Sequence, residues 1–215
     1  MKVKSYPKIV GLGLLAFILV GVAFGSSKLF SFPRPEFLVG QKLRENESIP
    51  DKDKIVMVVN GMPVTKKDFE NQRALLSFER ESVSDDEVRE KIIEKTVLYE
   101  EAKKRGLTVS LEEAKQFSQR MKKEAFGSDV ENPELIKNYI EGQGLTIDEF
   151  FDKVAPPLYQ QALSIGKLRA QIYDETDRRL GPNVPADQRL AAERAAFEKL
   201  TRELKEKAVV EIKSR

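Results

Sequence analysis

Lys54 to Phe69, KIVMVVNGMPVTKKDF, constrains the fold more than any other stretch, because it sets a strand, a turn and a helix start side by side. Ile55 to Val59 is rich in β-branched residues, Asn60-Gly61 is a turn dipeptide, and Pro63 interrupts regular continuation. Thr65 then offers its hydroxyl to the first helical turn, with Asp68 three residues on as the reciprocal cap. The same spacing recurs at Ser84/Glu87, Ser110/Glu113 and Thr146/Glu149. Each pair marks a helix start.

The helical periods follow from those starts. The first helix is predicted over Lys66 to Arg80, with Phe69, Leu76 and Phe78 inward. The second begins at Ser84, carries Val88, Ile92, Ile93, Val97, Tyr99 and Ala102 at 3–4 spacing, and stops at a glycine cap, Gly106. A third runs from Leu111 to Ala125, a short fourth from Glu134 to Glu141, and Gly142 and Gly144 end it. The Thr146 cap opens a fifth helix, which Pro156-Pro157 is expected to break or sharply kink because two amide donors are lost. The chain resumes over Leu158 to Arg179, turns at Gly181-Pro182-Asn183, and forms a last helix over Asp187 to Lys207. Val209 to Lys213, VVEIK, reads as a strand. A lone strand cannot satisfy its own backbone, and the other convincing strand is Ile55 to Val59. The two are predicted to pair and so close the two ends of the domain. The expected fold is mainly α: about six helices in a cradle, a small two-stranded sheet joining its ends, and one transmembrane or signal helix ahead of it.

Ahead of that domain, Ile9 to Gly25 is seventeen uncharged, mostly apolar residues behind Lys2, Lys4 and Lys8. As a helix it would span about 26 Å, close to a hydrocarbon core of about 30 Å. The lysines predict an N-in orientation, with everything after residue 30 outside the cytoplasm. Two readings stay open for residues 1–30: an uncleaved membrane anchor, or a signal peptide cut after the small-x-small Ala23-Phe24-Gly25. Residues 31–53 hold Pro33, Pro35 and Pro50 with no sustained period, and read as a linker, although Phe37, Leu38 and Val39 are apolar enough to pack on the domain or meet the membrane surface. The domain proper is 54–215, its returning helix and strand 187–213.

The chain of 215 residues has no cysteine, histidine or tryptophan. That removes thiol nucleophiles, disulfides, lipid acylation at cysteine, the usual zinc ligands and the side chain best suited to proton transfer near pH 7. No catalytic residue, metal or cofactor is expected. Lys2, Lys4, Lys8 and Lys28 precede the first acidic residue, Glu36; without those four, 33 basic residues face 35 acidic ones. No basic face of the kind nucleic acid requires is evident. The clusters Asp85-Asp86-Glu87 and Glu112-Glu113 lie in first helical turns, where carboxylates favour the dipole, and Lys91/Lys95 and Arg202/Lys205/Lys207 read as solvated faces.

VVNGMPVTKKDF, EEAKKRGLTVSLEEA, YIEGQGLTIDEFF and FEKLTRELKEKAVVEI, in that order, resemble the N-terminal chaperone module of SurA-type and PrsA-type extracytoplasmic folding factors, to which a module of trigger factor is related. The resemblance covers about 54–215 and implies a helical cradle whose last helix and strand return to the first strand. Relatives often carry a parvulin prolyl-isomerase domain before that returning helix; here only Thr176 to Pro185 occupies the place, and the histidines usual in parvulin sites are missing. Pro156-Pro157 is a second departure. The resemblance therefore implies binding of unfolded or extended exported polypeptides without isomerase activity. An envelope scaffold holding one specific partner is the alternative, and a degenerate isomerase the third reading.

A holding chaperone needs accessible apolar surface. The candidates are Phe78, Phe117, Met121, Phe126, Tyr139, Phe150, Phe151 and Tyr159, set against ordinary core packing at helical spacing. Phe150 and Phe151 point about 100° apart, which makes burying both harder, and Phe126 sits at a helix end. Asn60, Gly61, Pro63, Thr65, Gly106 and Gly144 read as structural. The returning helix also offers a route to a homodimer by exchange between two copies.

Overall fold

A computed structural model of the chain describes residues 34–78, 82–127 and 133–213. The apolar run 9–25, and with it the anchor or signal reading, lies outside the described residues. Within them the protein is mainly helical with a small antiparallel sheet. The order is α1 (Pro35–Asn46), β1 (Ile55–Val59), β2 (Met62–Thr65), α2 (Lys66–Leu76), α3 (Asp85–Lys104), α4 (Leu111–Ala125), α5 (Pro133–Gly142), α6, α7 (Ala186–Glu206) and β3 (Val210–Ile212). We number as α6 a run that begins at Ile147–Glu149, widens into a π turn over Phe150–Val154 and continues as Ala155–Leu180. Among the described residues no helix is long and apolar enough to cross a membrane.

The sheet has three strands in the order β2-β1-β3, one more than the sequence suggested. Pro63 does not end strand structure; it sits inside β2. Asn60 and Gly61, with φ of 51° and 82°, form a two-residue turn that returns the chain as a tight hairpin. Both positive φ values match the turn whose twist suits antiparallel strands. Met57 pairs with Val64 and Val59 with Met62 on one side; Met57 pairs with Ile212 and Val59 with Val210 on the other. The two ends of the domain do meet. Asn60 ties them tighter than a turn residue would: its N–H donates to Val209 O, its Oδ1 accepts from Val209 N–H (2.8 Å each), and its Nδ2 donates to Glu100 on α3 (2.6 Å).

All four sequence caps form reciprocal boxes, at Thr65/Asp68, Ser84/Glu87, Ser110/Glu113 and Thr146/Glu149. At the far end of α3, Gly106 (φ 70°) lets Leu107 N–H reach Ala102 O at 2.8 Å, and Gly144 (φ 73°) plays the same part after α5. These bonds satisfy carbonyls that a helix end leaves open.

The segment read as a linker is not one throughout. Pro35–Asn46 is helical and lies across α5, its Val39 buried against Tyr139 and Ile140. The crossing is close because Gly40 meets Gly142. A Cβ at Gly40 would stand 2.3 Å from Tyr139 O, and one at Gly142 would stand 2.3 Å from Phe37 O. Gly142 therefore serves helix contact, and the sequence-stop role falls to Gly144. Backbone cannot yield as a flexible side chain can, so Gly40→Ala or Gly142→Ala is expected to cost about 1–3 kcal/mol or to lift α1 away. Gly166→Ala is the control: its Cβ meets nothing within 4 Å, and alanine in a helix interior should stabilise slightly. Melting temperatures of the three variants, with hydrogen exchange of the α1 amides, check this; an unshifted melt for both crossing variants would refute the close contact.

Three apolar clusters fill the interior. Met57, Val59, Val64, Phe69, Val88, Ile92 and Val97 pack beneath the sheet. Leu98, Ala102, Leu168, Ile172 and Phe197 join α3, α6 and α7, with Leu204 touching both clusters. An aromatic cluster fills the space between α4, α5 and the start of α6.

Candidate functional site

The eight residues singled out for polypeptide contact are brought together, but as the filling of one core. Met121, Tyr139, Phe150, Phe151 and Tyr159 are buried there, and Phe78, Phe117 and Phe126 pack half-buried around them. Phe150 and Phe151, the two with the strongest argument for exposure, are 3% and 1% accessible. Their divergence is met by a layer on each side: Phe150 sets its ring edge-to-face on Tyr139 of α5 at 5.9 Å, and Phe151 does so on Phe126 at the end of α4 at 6.3 Å. The two rings also meet each other at 5.2 Å and 86°. Phe117 and Tyr159 add a fourth edge-on pair, at 5.0 Å. Such geometry is favourable beyond area alone.

The π turn explains how the chain reaches that arrangement. Pro156 and Pro157 cannot donate to the carbonyls one turn behind them: a regular helix would leave Asp152 O and Lys153 O without an amide partner, and the wider π register leaves Phe151 O without one. The chain widens instead: Ala155 N–H bonds Phe150 O, and Ser118 of α4 donates its hydroxyl to Phe151 O at 2.6 Å. Gln119 Nε2 holds the Asp152 carboxylate at 2.6 Å, and Lys122 pairs with Asp148 at 2.6 Å. The expected break is thus a register change inside a continuous helix. Further along, Ser164 accepts Val109 N–H at 3.0 Å while Gln160 Nε2 donates to Val109 O at 3.0 Å, which fixes the α3–α4 connection on α6.

Burial sets the electrostatics of this core. It pushes the phenols of Tyr139 and Tyr159 up to about 12. Lys95, expected on a solvated face, instead lies under α2, donates to Gln72 Oε1 at 2.7 Å, and has its pKa lowered by that burial. Lys205 also leaves the solvated set, pairing with Glu90 across α7 and α3. The acidic first turns behave as caps: backbone and hydroxyl bonds from Ser110 and Thr146 hold the Glu113 and Glu149 carboxyls below their usual range. Among the described residues no group of carboxylates is arranged to hold a metal ion.

Accessible apolar side chains gather elsewhere. Phe37 and Leu38 lie on the outer side of α1, and Ile55, Met62, Val209, Val210 and Ile212 cluster on the sheet. Val210 and Ile212 pair in register with Val59 and Met57, which are fully buried, so their side chains share the core-side face. Yet Ile212 is 62% accessible and Val210 36%: the helices stop short of β3. The sequence carried a signal for this, the period-two alternation Val210-Glu211-Ile212 at the end of the chain, but gave no measure of how far the helices reach. A concavity of about 570 Å³ lies over the loop of residues 47–54 and shares no residue with these groups. Comparison with family models, curated proteins and solved structures finds no match to this chain.

Proposed function

We propose that the chain is a membrane-tethered, extracytoplasmic polypeptide-binding protein of the SurA/PrsA chaperone type, acting without prolyl-isomerase activity. The observation that carries this reading is the antiparallel docking of β3 on β1, some 150 residues earlier, around a helical body. That closure is what the resemblance of the four sequence segments implies. The turn from Leu180 to Ala186 supports the second half of the statement, since the place where relatives hold a parvulin domain is a short connection here. The polypeptide would be bound by the apolar groups at the sheet and on α1, because the aromatic set is used in packing.

The filled aromatic core gives specific support to a second reading, a scaffold holding one envelope partner, because it reduces the broad apolar area a general holdase offers. The two readings separate in one experiment. Full-length protein in mild detergent, mixed with an unfolding client, is expected to suppress light scattering at stoichiometric amounts. No suppression, together with co-purification of a single stoichiometric protein, would transfer the assignment to the scaffold. The chain used must retain α1, since a fragment beginning at residue 54 would strip the face of α5 that α1 covers.

A further inference from the structure

We propose that the free edge of β3 takes up an added strand from an extended polypeptide in which two apolar residues flank a basic one. This rests on the polypeptide-binding reading above and gives it a site.

Hydrogen-bond parity in the sheet makes the case. Asn60 N–H bonds Val209 O and Lys213 N–H bonds Val56 O, so the even residues of β1 face β3 and the odd ones face β2. On β3 it is then Val209, Glu211 and Lys213 that face β1. The N–H and C=O groups of Val210 and Ile212 point out to the open edge. The opposite edge differs: Met62 and Val64 bond β1, so the outward residue of β2 is Pro63, which has no N–H to offer. Among the described residues one edge of the sheet is closed to strand addition, and the other is open.

The side chains specify the occupant. Val210 and Ile212 extend the core-side face beyond the helices, so a pairing strand would set apolar residues beside them. Glu211 points to the other face, where Lys213 pairs with it at 2.6 Å. The residue placed opposite Glu211 falls in the closer type of pair, which favours a basic side chain. A second copy of the chain fits less well: the two-fold register pairing Val210 with Ile212 would set Glu211 directly against its own copy.

The test uses full-length protein in mild detergent and a fluorescein-labelled peptide, Thr-Val-Lys-Val-Thr, followed by anisotropy. Saturable binding is expected, weakened about tenfold by Ile212→Pro, which copies Pro63 by removing an outward donor while sparing the bond from Lys213 to Val56. Exchanging the peptide lysine for glutamate should weaken it similarly. Two methylated peptides read the edge without altering the protein: methyl groups on both valine amides should abolish binding, and one on the lysine amide should leave it unchanged. Equal binding of the two methylated peptides, no saturable binding of the parent, or a dimer dissolved by Ile212→Pro would overturn the proposal. If Ile212→Pro suppresses client aggregation fully, the edge is wrong and the chaperone reading stands. If the peptides behave as described but no client is protected, the edge stands and the chaperone reading fails.

Discussion

Replacing Phe151 with alanine is expected to remove about 3–5 kcal/mol of folding stability, the range for emptying a fully buried aromatic site. The ring is 1% accessible, touches Phe126 and Phe150 edge-on, and belongs to a turn fixed from α4 by Ser118. A cavity there cannot collapse easily, because Pro156 and Pro157 restrict the backbone on one side and the Ser118 bond holds it on the other. Leu158→Ala, on the same helix but 44% accessible, should move stability by no more than about 0.5 kcal/mol. Urea midpoints of the two variants decide between core and contact roles. Were Phe151 a client contact, its loss would spare the midpoint and reduce aggregation suppression instead. A neutral Phe151→Ala would return the residue to the binding surface.

What the sequence conveyed was local chemistry, and local chemistry carried far. Four capping boxes appear where Ser/Thr and Asp/Glu stand three apart, and α4 has the predicted bounds Leu111–Ala125. The pairing of β1 with β3 was legible because a strand must find a partner. Pro63 misled for a reason of the same kind: proline excludes an inner strand position, but at an outward edge position its missing donor costs nothing. The aromatic residues are ambiguous by nature, since helical spacing reports which side chains share a face and says nothing of whether another helix covers it. The covering helices here include α1, whose low amphipathic contrast and flanking prolines hid it. Its docking depends on Gly40 and Gly142, about a hundred residues apart, which no local pattern links.

That docking changes how the proposed tether works. With α1 fixed on α5, the chain between the apolar run and the folded body shortens to the residues before Pro35. Arg34 reinforces the attachment, donating to Asn138 Oδ1 at 2.7 Å. If residues 9–25 span a bilayer, the domain is held against the membrane rather than floating on a long linker, with Phe37 and Leu38 exposed on the element nearest to it. On the reading proposed above, the sheet edge rather than the helical interior is where an extended polypeptide would be received.

Between pH 10 and 12 the protein is expected to lose about 5 kcal/mol of stability through Tyr139 and Tyr159 alone. Both phenols are neutral below pH 10 in the native and the unfolded chain, so their contribution is then fully present. Above pH 10 the unfolded chain releases protons that the buried rings keep until about 12, and each phenol withdraws about 1.4 kcal/mol per pH unit over that window. Lys95 acts in the opposite sense. Burial lowers its pKa, so the native state carries the cost of a buried charge at neutral pH and sheds it as pH rises towards the unfolded value near 10.5. Stability should therefore hold or rise gently up to about pH 10 and fall steeply beyond. Denaturation midpoints across this range, for wild type and for the double variant Tyr139→Phe, Tyr159→Phe, isolate the cause. Phenylalanine keeps the ring packing and cannot ionise, so the double variant should lose most of the alkaline slope, while tyrosinate absorbance of the native wild type should show two of its tyrosines titrating late. Parallel pH profiles for the two proteins would mean that the phenols already reach water, and that the aromatic core is open where it is described as closed.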